Sequence, residues 1–218
     1  MTEAAVLPRG DAVAQMSTTV PSDGRNRRAA ETRRKIIEAA KAMIAETSEA
    51  PTVVGVARRA DVSVRSVFQH FGDVESLFVT VVDSVKDDIV VPPPPPATGP
   101  LAERIDTVVR NLAEVFDRIV PLRVAAGHFP SHPALVDRSR FLKQQLRETA
   151  LEVFAPEFAA LGPETREELA DAVGAALSLD AWVVLRRRDG LGLERAVAVW
   201  RRTLTALMEH GLAASAVK

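Results

Sequence analysis

Five consecutive prolines occupy positions 92–96 and divide the chain into two parts of unequal length. Proline has no backbone N–H and clashes with the carbonyl group four residues earlier, so no α-helix continues through such a run. Consecutive prolines instead form a stiff, extended segment. With the Ala-Thr-Gly-Pro that follows, this segment predicts a linker over residues 89–100. A chain of 218 residues is long enough to form a domain on each side of it.

Apolar residues recur at intervals of three and four on both sides of the linker, which is the pattern of amphipathic helices. No alternating apolar run is bracketed by hairpin turns, so strands are not expected. The predicted helices run from about Glu31 to the residue before Glu49, over 52–60, 64–71 and 73–88, and then over 101–120, 134–154, 163–188 and 193–210, with a short element near 122–127. The sequence therefore predicts an all-α protein.

This division predicts two helical domains and a tail. Residues 25–88 form an N-terminal three-helix helix-turn-helix domain, with the motif itself at about 52–71 and a further helix leading into the linker. Residues 101–212 form a C-terminal helical domain. Residues 1–24 mix Ala, Thr, Ser, Pro and Gly without a sustained period, so we predict that they form a disordered tail.

Several classes of protein are excluded or disfavoured by composition. The chain has no cysteine, which excludes disulfides, thiolate metal sites and a cysteine nucleophile. His128 and His132 are four apart, but Pro130 and Pro133 break the helix that would place them on one face. We therefore predict no metal and no cofactor. No apolar run is long enough to cross a bilayer, and the first residues lack the layout of a signal peptide, which predicts a cytoplasmic protein without a membrane partner.

The charge is distributed unevenly along the chain. The net charge is −1, yet the segment from Arg25 to Gly72 holds ten Lys and Arg against five acids, a net of +5, so the remainder sums to −6. A basic segment attached to an acidic body is typical of a nucleic-acid reader with a separate regulatory or assembly domain. Chance clustering of solvated charges is the alternative that charge alone leaves open.

The stretch TVVGVARRADVSVRSVFQHF carries the helix-turn-helix pattern. Thr52 and Ser63 are residues of the type that caps helix N-termini, because a hydroxyl accepts a bond from a free backbone N–H of the first turn. Asp61 follows the first helix where a left-handed residue is often needed, and Asp tolerates that conformation. Two short helices cannot bury an apolar face alone, so the flanking helices must complete a small bundle. In such a unit the second helix can enter the major groove of DNA.

The segment from about Arg28 to Asp88 resembles the DNA-binding domain of TetR-family transcriptional repressors. The resemblance rests on Ile36-Ile37-x-Ala39-Ala40, Thr52-Val53, Val56-Ala57, Ala60, Val62-Ser63, Phe68, His70-Phe71 and Glu75-Ser76-Leu77-Phe78. It implies a homodimer that assembles through the last two helices and binds a pseudo-palindromic operator in double-stranded DNA. It also implies that an unknown small-molecule effector, held by the C-terminal domain, releases the operator.

Carried over by position, the resemblance implies particular DNA contacts. The implied base and phosphate contacts are Thr52, Ser63, Val64, Arg65, Ser66, Phe68, Gln69 and His70, with Phe68 and His70 facing the backbone. Arg65 is the candidate for direct readout of guanine, and Val64 is a candidate for sensing a thymine methyl group. Arg27 and Arg28, with Arg25, resemble a flexible basic arm that adds phosphate affinity.

The chain departs from the family pattern at three positions. Phe68 replaces the usual tyrosine, Arg65 stands where a small residue is common, and Val74 stands where the fourth helix usually has a lysine. Asp73 also brings negative charge close to the expected DNA. Phe68 has no hydroxyl to donate to a phosphate, and with Val67 and Phe71 it is interpreted primarily as core.

The C-terminal domain offers polar and aromatic candidates for an effector site without forming a recognisable pattern. The candidates for contact with an effector are Phe116, His128, Phe129, Phe141 and Trp182. The leading hypothesis is a repressor released by an effector. The alternatives are a helical ligand-binding protein or small enzyme in which the helix-turn-helix is only structural, an architectural DNA-binding protein without an effector, and an activator.

Overall fold

The computed structural model describes residues 22–89 and 91–216, and their regular secondary structure is entirely helical. The helices are α1 (Ser22–Thr47), α2 (Val53–Ala60), α3 (Val64–Phe71), α4 (Val74–Asp87), α5 (Leu101–Ala126), α6 (Pro133–Val153), α7 (Ala155–Ala159), α8 (Pro163–Ala176), α9 (Leu179–Val183) and α10 (Leu193–Ala216), with a π-helical turn at Val184–Arg188 after α9. The predicted all-α fold is confirmed. No helix within the described residues is long and apolar enough to cross a membrane.

The N-terminal helices pack around a small apolar core. α1 packs against α2 and α4, and α3 packs against α2 and α4. Side chains from all four helices are buried together, namely Ile36, Ala40, Ile44, Val56, Ala57, Val67, Phe71, Leu77, Phe78 and Val81. Because each short helix contributes only two or three of these residues, α2 and α3 are held mainly by their packing on α1 and α4.

Helix α5 belongs to both halves of the molecule. Its last turn places Ala125, which is fully buried, in the N-terminal core, and Leu122 and Phe129 pack against the same cluster. The rings of Phe129 and Phe78 lie 5.0 Å apart, centroid to centroid. The proline-rich linker therefore separates two segments of chain, but the N-terminal core is completed by residues from beyond it.

The C-terminal core forms around three large aromatic side chains. Trp182 of α9 and Trp200 of α10 have ring centroids 4.4 Å apart, and Phe116 of α5 lies 5.8 Å from Trp200. All three side chains are almost completely buried. At the edge of this core the buried guanidinium of Arg104 pairs with Glu157. Contacts of α5 with α9 and α10, and of α8 with α6 and α10, complete the packing.

The start of α1 differs from the prediction. Residues 22–24, predicted to be part of a disordered tail, are helical, and Arg27 and Arg28 lie on a helix and not on a flexible arm. Residues 24–31 are all exposed. This extension has no apolar stripe to reveal it, and its Arg, Ala and Glu residues are good helix formers, so the apolar pattern began only near Glu31. The rest of the predicted tail, residues 1–21, lies outside the described residues.

The helices after the linker also differ in their bounds. α5 continues through Pro121, where a break was predicted. An internal proline removes one helical hydrogen bond, and the packing of the helix on both sides of Pro121 compensates for that loss. The single helix predicted over 163–188 is divided into α8, α9 and the π-helical turn. Ser178 caps α9 by accepting a bond from the backbone N–H of Ala181 at 3.1 Å, and this cap restarts the helix. The short α7 was not predicted.

Candidate nucleic-acid interface

The turn between α2 and α3 has the predicted capping geometry. The Thr52 hydroxyl accepts a hydrogen bond from the backbone N–H of Gly55 at 3.1 Å, and the Ser63 hydroxyl accepts one from the backbone N–H of Ser66 at 3.0 Å. Asp61 adopts the left-handed conformation with φ of 55°. Thr52 thus fixes where α2 begins, while the left-handed Asp61 and the Ser63 cap fix where α2 ends and α3 begins. The turn so defined sets the direction in which α3 projects.

Gly55 allows α2 to approach α1 closely. A Cβ atom built at this position would lie 2.7 Å from Cε of Met43 and 2.9 Å from the capping hydroxyl of Thr52. A glycine inside a helix costs roughly 1 kcal/mol relative to alanine. Met43 of α1 makes the close approach that explains this glycine. A larger residue at position 55 would also press on the Thr52 hydroxyl that caps α2.

Helix α3 presents one buried and one exposed face. Val67 and Phe71 are buried against the other helices. The exposed face carries Val64 and Phe68, which are four residues apart, and beside them Arg65 and Gln69, which are also four apart. Ser66 and His70 are half-buried at the margin. The side chains implied to contact DNA therefore lie together on the outward side of one short helix.

Phe68 is not part of the core, contrary to the interpretation from sequence. Its side chain is 48% exposed, whereas Val67 and Phe71 are 1% and 9% exposed. Helical spacing explains the difference, because positions 67 and 71 are four apart and point toward α1 and α4, while position 68 is rotated by about 100° from 67. Val64 is also exposed, so Val67 and not Val64 takes the inward position at the start of α3.

The arginines near this face differ in whether they already have a partner within the protein. Arg65 forms no hydrogen bond or ion pair with another described residue, and its side chain is exposed. Arg59 pairs with Glu46 at 2.6 Å, and the guanidinium of Arg33 lies 5.0 Å from the centre of the Phe71 ring. On the α1 extension, Arg27 and Arg28 are exposed. The arginine at the start of α3 thus remains free to bond to an external partner.

Asp73 is the N-cap of α4. Its carboxylate accepts a bond from the backbone N–H of Ser76 at 2.7 Å, and this bond together with one from the Ser76 hydroxyl holds the pKa of Asp73 below its ordinary value. The negative charge seen in the sequence therefore lies at the positive end of a helix dipole, which partly compensates it. Val74 follows it as the first residue of α4.

The predicted effector residues are not brought together. Phe116 and Trp182 lie in the C-terminal core with Trp200, a residue that was not among the effector candidates. Phe129 packs against the N-terminal core, and Phe141 is 60% exposed on α6. A ring nitrogen of His128 lies 3.1 Å from the carbonyl oxygen of Ala125, next to the end of α5. Of the predicted effector residues, only Phe116 and Trp182 thus belong to the same buried cluster.

Two open depressions of the described surface lie beside α1. One, of about 400 Å³, is open to solvent and is lined by Arg34, Lys35, Glu38, Ala39, Arg59 and Ala60. The other, of about 300 Å³, lies against α4 at Ser84. Both depressions are shallow, and several of their charged side chains already pair with residues outside them, such as Arg34 with Glu31 and Arg59 with Glu46. Within residues 22–89 and 91–216, no group of three His, Asp or Glu side chains could hold a metal ion.

A helix-turn-helix unit supported by a larger helical body is an architecture used by DNA-binding regulators. Comparison with solved structures gives a match to a protein of Mesorhizobium loti MAFF303099 described as a candidate TetR-family transcriptional regulator. The two share 20% sequence identity with a TM-score of 0.53, over 86% of this chain and 98% of the other. No family model matches the sequence, and no curated protein matches it. The resemblance to the TetR family is confirmed at the level of the fold.

Proposed function

We propose that this protein is a homodimeric, sequence-specific DNA-binding transcriptional repressor that a small-molecule effector releases from its operator. The observation that carries the proposal is the exposed face of α3, on which an unpaired Arg65 stands beside Gln69 on a helix whose N-terminus is capped by Ser63. The fold shared with a candidate TetR-family regulator supports the same reading. Such a role requires access to chromosomal DNA, so we propose a cytoplasmic location.

In this proposal α3 enters the major groove. The guanidinium of Arg65 bonds to O6 and N7 of guanine together, which is worth roughly 1–3 kcal/mol of discrimination against other bases. Ser63, Ser66 and Gln69 supply further polar contacts at the same helix. Thr52 and His70, at the margins of the motif, contact the phosphate backbone and position the protein without reading sequence.

The helical extension at the start of α1 supplies additional phosphate contacts. Arg27 and Arg28 are exposed on it and are not needed for the core. Such contacts release counterions, so each one removed should reduce the slope of log affinity against log salt by about 1. Changing Arg27 to Ala should therefore weaken binding to all DNA sequences alike and flatten the salt dependence.

We propose that α8 and α10 form the dimer interface. Both helices carry small or apolar residues that are partly buried or exposed in the single chain, namely Ala172, Ala175, Ala176, Val199, Ala206 and Leu207. A dimer is also needed on geometric grounds. One helix-turn-helix reads a short half-site, and two units a whole number of helical turns apart read a longer and more selective operator.

We propose that the effector acts through the C-terminal core near Phe116 and Trp182. An effector that favours a conformer with differently spaced α3 helices weakens operator binding, and the operator weakens effector binding by the same factor. Helix α5 provides a physical connection, because it packs near Trp182 and Trp200 in one core and places Ala125 in the other. His128, Phe129 and Phe141 are not part of this proposed site.

The test is fluorescence anisotropy of the purified protein with the intergenic DNA beside its own gene and with an unrelated fragment of equal length, over a salt series. We expect tight binding to the first fragment that exceeds binding to the second. Arg65→Ala should reduce this selectivity by roughly 5- to 150-fold, from the 1–3 kcal/mol above. Arg140→Ala is the matched control, because Arg140 is an exposed arginine on α6 whose described partner is Asp137. Equal, weak and salt-sensitive binding to both fragments would refute the proposal.

A further inference from the structure

Exposed apolar side chains are concentrated in the helix-turn-helix. Within the described residues, seven large hydrophobic side chains are more than a third exposed, namely Val54, Val64, Phe68, Val91, Phe141, Val184 and Leu193. Three of these seven lie between positions 54 and 68. Single exposed apolar residues are normal, but a local concentration of them marks a surface that binds something.

Two of these side chains form a continuous strip on α3. Val64 and Phe68 are separated by one helical turn, so their Cβ atoms lie about 5–6 Å apart on the same face. Their exposed fractions are 39% and 48%. A parallel row on the same face is polar and consists of Arg65 and Gln69. The outward face of α3 therefore consists of an apolar row and a polar row side by side.

The surroundings of the apolar strip favour a polyanion over an apolar protein surface. No acidic residue occurs in α3, and Arg65 adjoins Val64 directly. An apolar partner that covered the strip would also have to bury the unpaired guanidinium of Arg65, which is costly without a counter-charge. DNA supplies both an acceptor pair for the guanidinium and an apolar group in the same groove, because the C5-methyl of thymine projects into the major groove.

We propose that Val64 and Phe68 read thymine methyl groups, so that each operator half-site places thymines next to the guanine bonded by Arg65. This inference rests on the proposed DNA-binding function and assigns Phe68 to base readout, in place of the backbone contact that the family resemblance implies. Val64 and Phe68 are spaced by about 6 Å along the helix axis, close to two base steps of about 3.4 Å. The two thymines therefore lie within about two base pairs of each other.

The experiment uses the full chain and a preferred duplex selected from random DNA. Each thymine of the half-site is replaced in turn by deoxyuridine, which lacks only the methyl group, and Kd is measured by anisotropy. We expect two positions at which the replacement weakens binding roughly fourfold, the effect of losing one buried methyl group. Val64→Ala should abolish the sensitivity at one position, and Phe68→Ala should abolish it at the other.

Two variants serve as controls. Val54→Ala removes an exposed valine on α2, outside the strip, and should keep both methyl sensitivities. Phe68→Tyr retains the ring and should keep the sensitivity that Phe68→Ala loses. The three side chains that these four variants change are all exposed, and circular dichroism verifies that each variant folds. Selective binding that is indifferent to deoxyuridine at every position would overturn the inference and leave the proposed function intact. Failure to select any duplex would remove both.

Discussion

Replacing Arg104 tests the account of how the C-terminal core is held together. The Arg104 side chain is 6% exposed and pairs with Glu157, which is 11% exposed. One of its nitrogens also donates to the carbonyl oxygen of Val153 at 2.7 Å. Arg104→Met keeps much of the side-chain volume but leaves a buried carboxylate and a buried carbonyl without their donor. Removing one member of a buried pair costs about 3–5 kcal/mol.

The same geometry gives the expected size of two further effects. For a chain of this length, 3–5 kcal/mol lowers the midpoint of thermal unfolding by roughly 6–20 °C. Combining Arg104→Met with Glu157→Leu removes the orphaned charge, so the double variant should recover most of the loss. It should remain about 1–3 kcal/mol less stable than the unaltered protein, because the carbonyl of Val153 still lacks its donor.

The assay is urea denaturation followed by circular dichroism and by tryptophan fluorescence. The chain has two tryptophans and no tyrosine, and both tryptophans lie in the same core as this ion pair. Arg140→Met is the control and should cost less than about 1 kcal/mol, because an exposed pair contributes little. Equal losses of unfolding free energy for Arg104→Met and Arg140→Met would refute the argument. So would a loss in the Arg104→Met/Glu157→Leu double variant as large as the losses of Arg104→Met and Glu157→Leu added together.

The pH dependence of the same pair has a definite sign. Hydrogen bonds from Arg104 hold the pKa of Glu157 below its ordinary value of 4.5. The pair therefore stabilises the fold fully above that ordinary pKa and loses its contribution as pH falls through the lower, folded-state pKa. The difference in stability between the unaltered protein and Arg104→Met should narrow in acid.

Three further predictions concern the N-terminal helices and the core that they form. Ser63→Ala removes the N-cap of α3 and should lower the free energy of unfolding by about 0.5–2 kcal/mol in urea titrations, whereas Ser139→Ala, at an exposed position on α6, should have little effect. In an exposed helix, changing Gly to Ala raises the free energy of unfolding by roughly 1 kcal/mol. Gly55→Ala should not give this increase, because the new Cβ would displace the Thr52 hydroxyl and Met43. A thermal midpoint raised by the full corresponding amount would contradict this prediction. Phe129→Ala should destabilise the protein by about 3 kcal/mol through the N-terminal core, and a variant of normal stability would show that its contact with Phe78 contributes little.

The features predicted well from sequence are those that depend on a few adjacent residues. The hydroxyls of Thr52 and Ser63 and the left-handed Asp61 act through backbone groups within three residues, so their roles follow from local chemistry. The bounds of α2 and α3 were therefore predicted to within about a residue. The proline run likewise excludes a helix wherever it occurs.

The features predicted poorly depend on which helix covers which. Phe68 fits the apolar period of α3, and only the positions of α1 and α4 determine that it stays outside while Phe71 is covered. Phe129 follows the linker in sequence, yet it packs against Phe78 because α5 runs back to the N-terminal core. The grouping of Trp200 with Trp182 and Phe116 joins three helices that are remote in sequence. No local pattern contains such information.

The position of Ala125 and Leu122 in the N-terminal core bears on how the protein can be divided or recombined. A fragment that ends at the proline run would expose the apolar surfaces of Phe78 and Val81 that the end of α5 helps to cover, so it would be a poor independent unit. A chimaera that exchanged only residues 22–91 with a relative would pair a foreign surface with the end of α5. Under the proposed function, an exchange of DNA specificity between related proteins should therefore transfer the end of α5 and the turn after it, from Leu122 through Phe129, together with the first four helices.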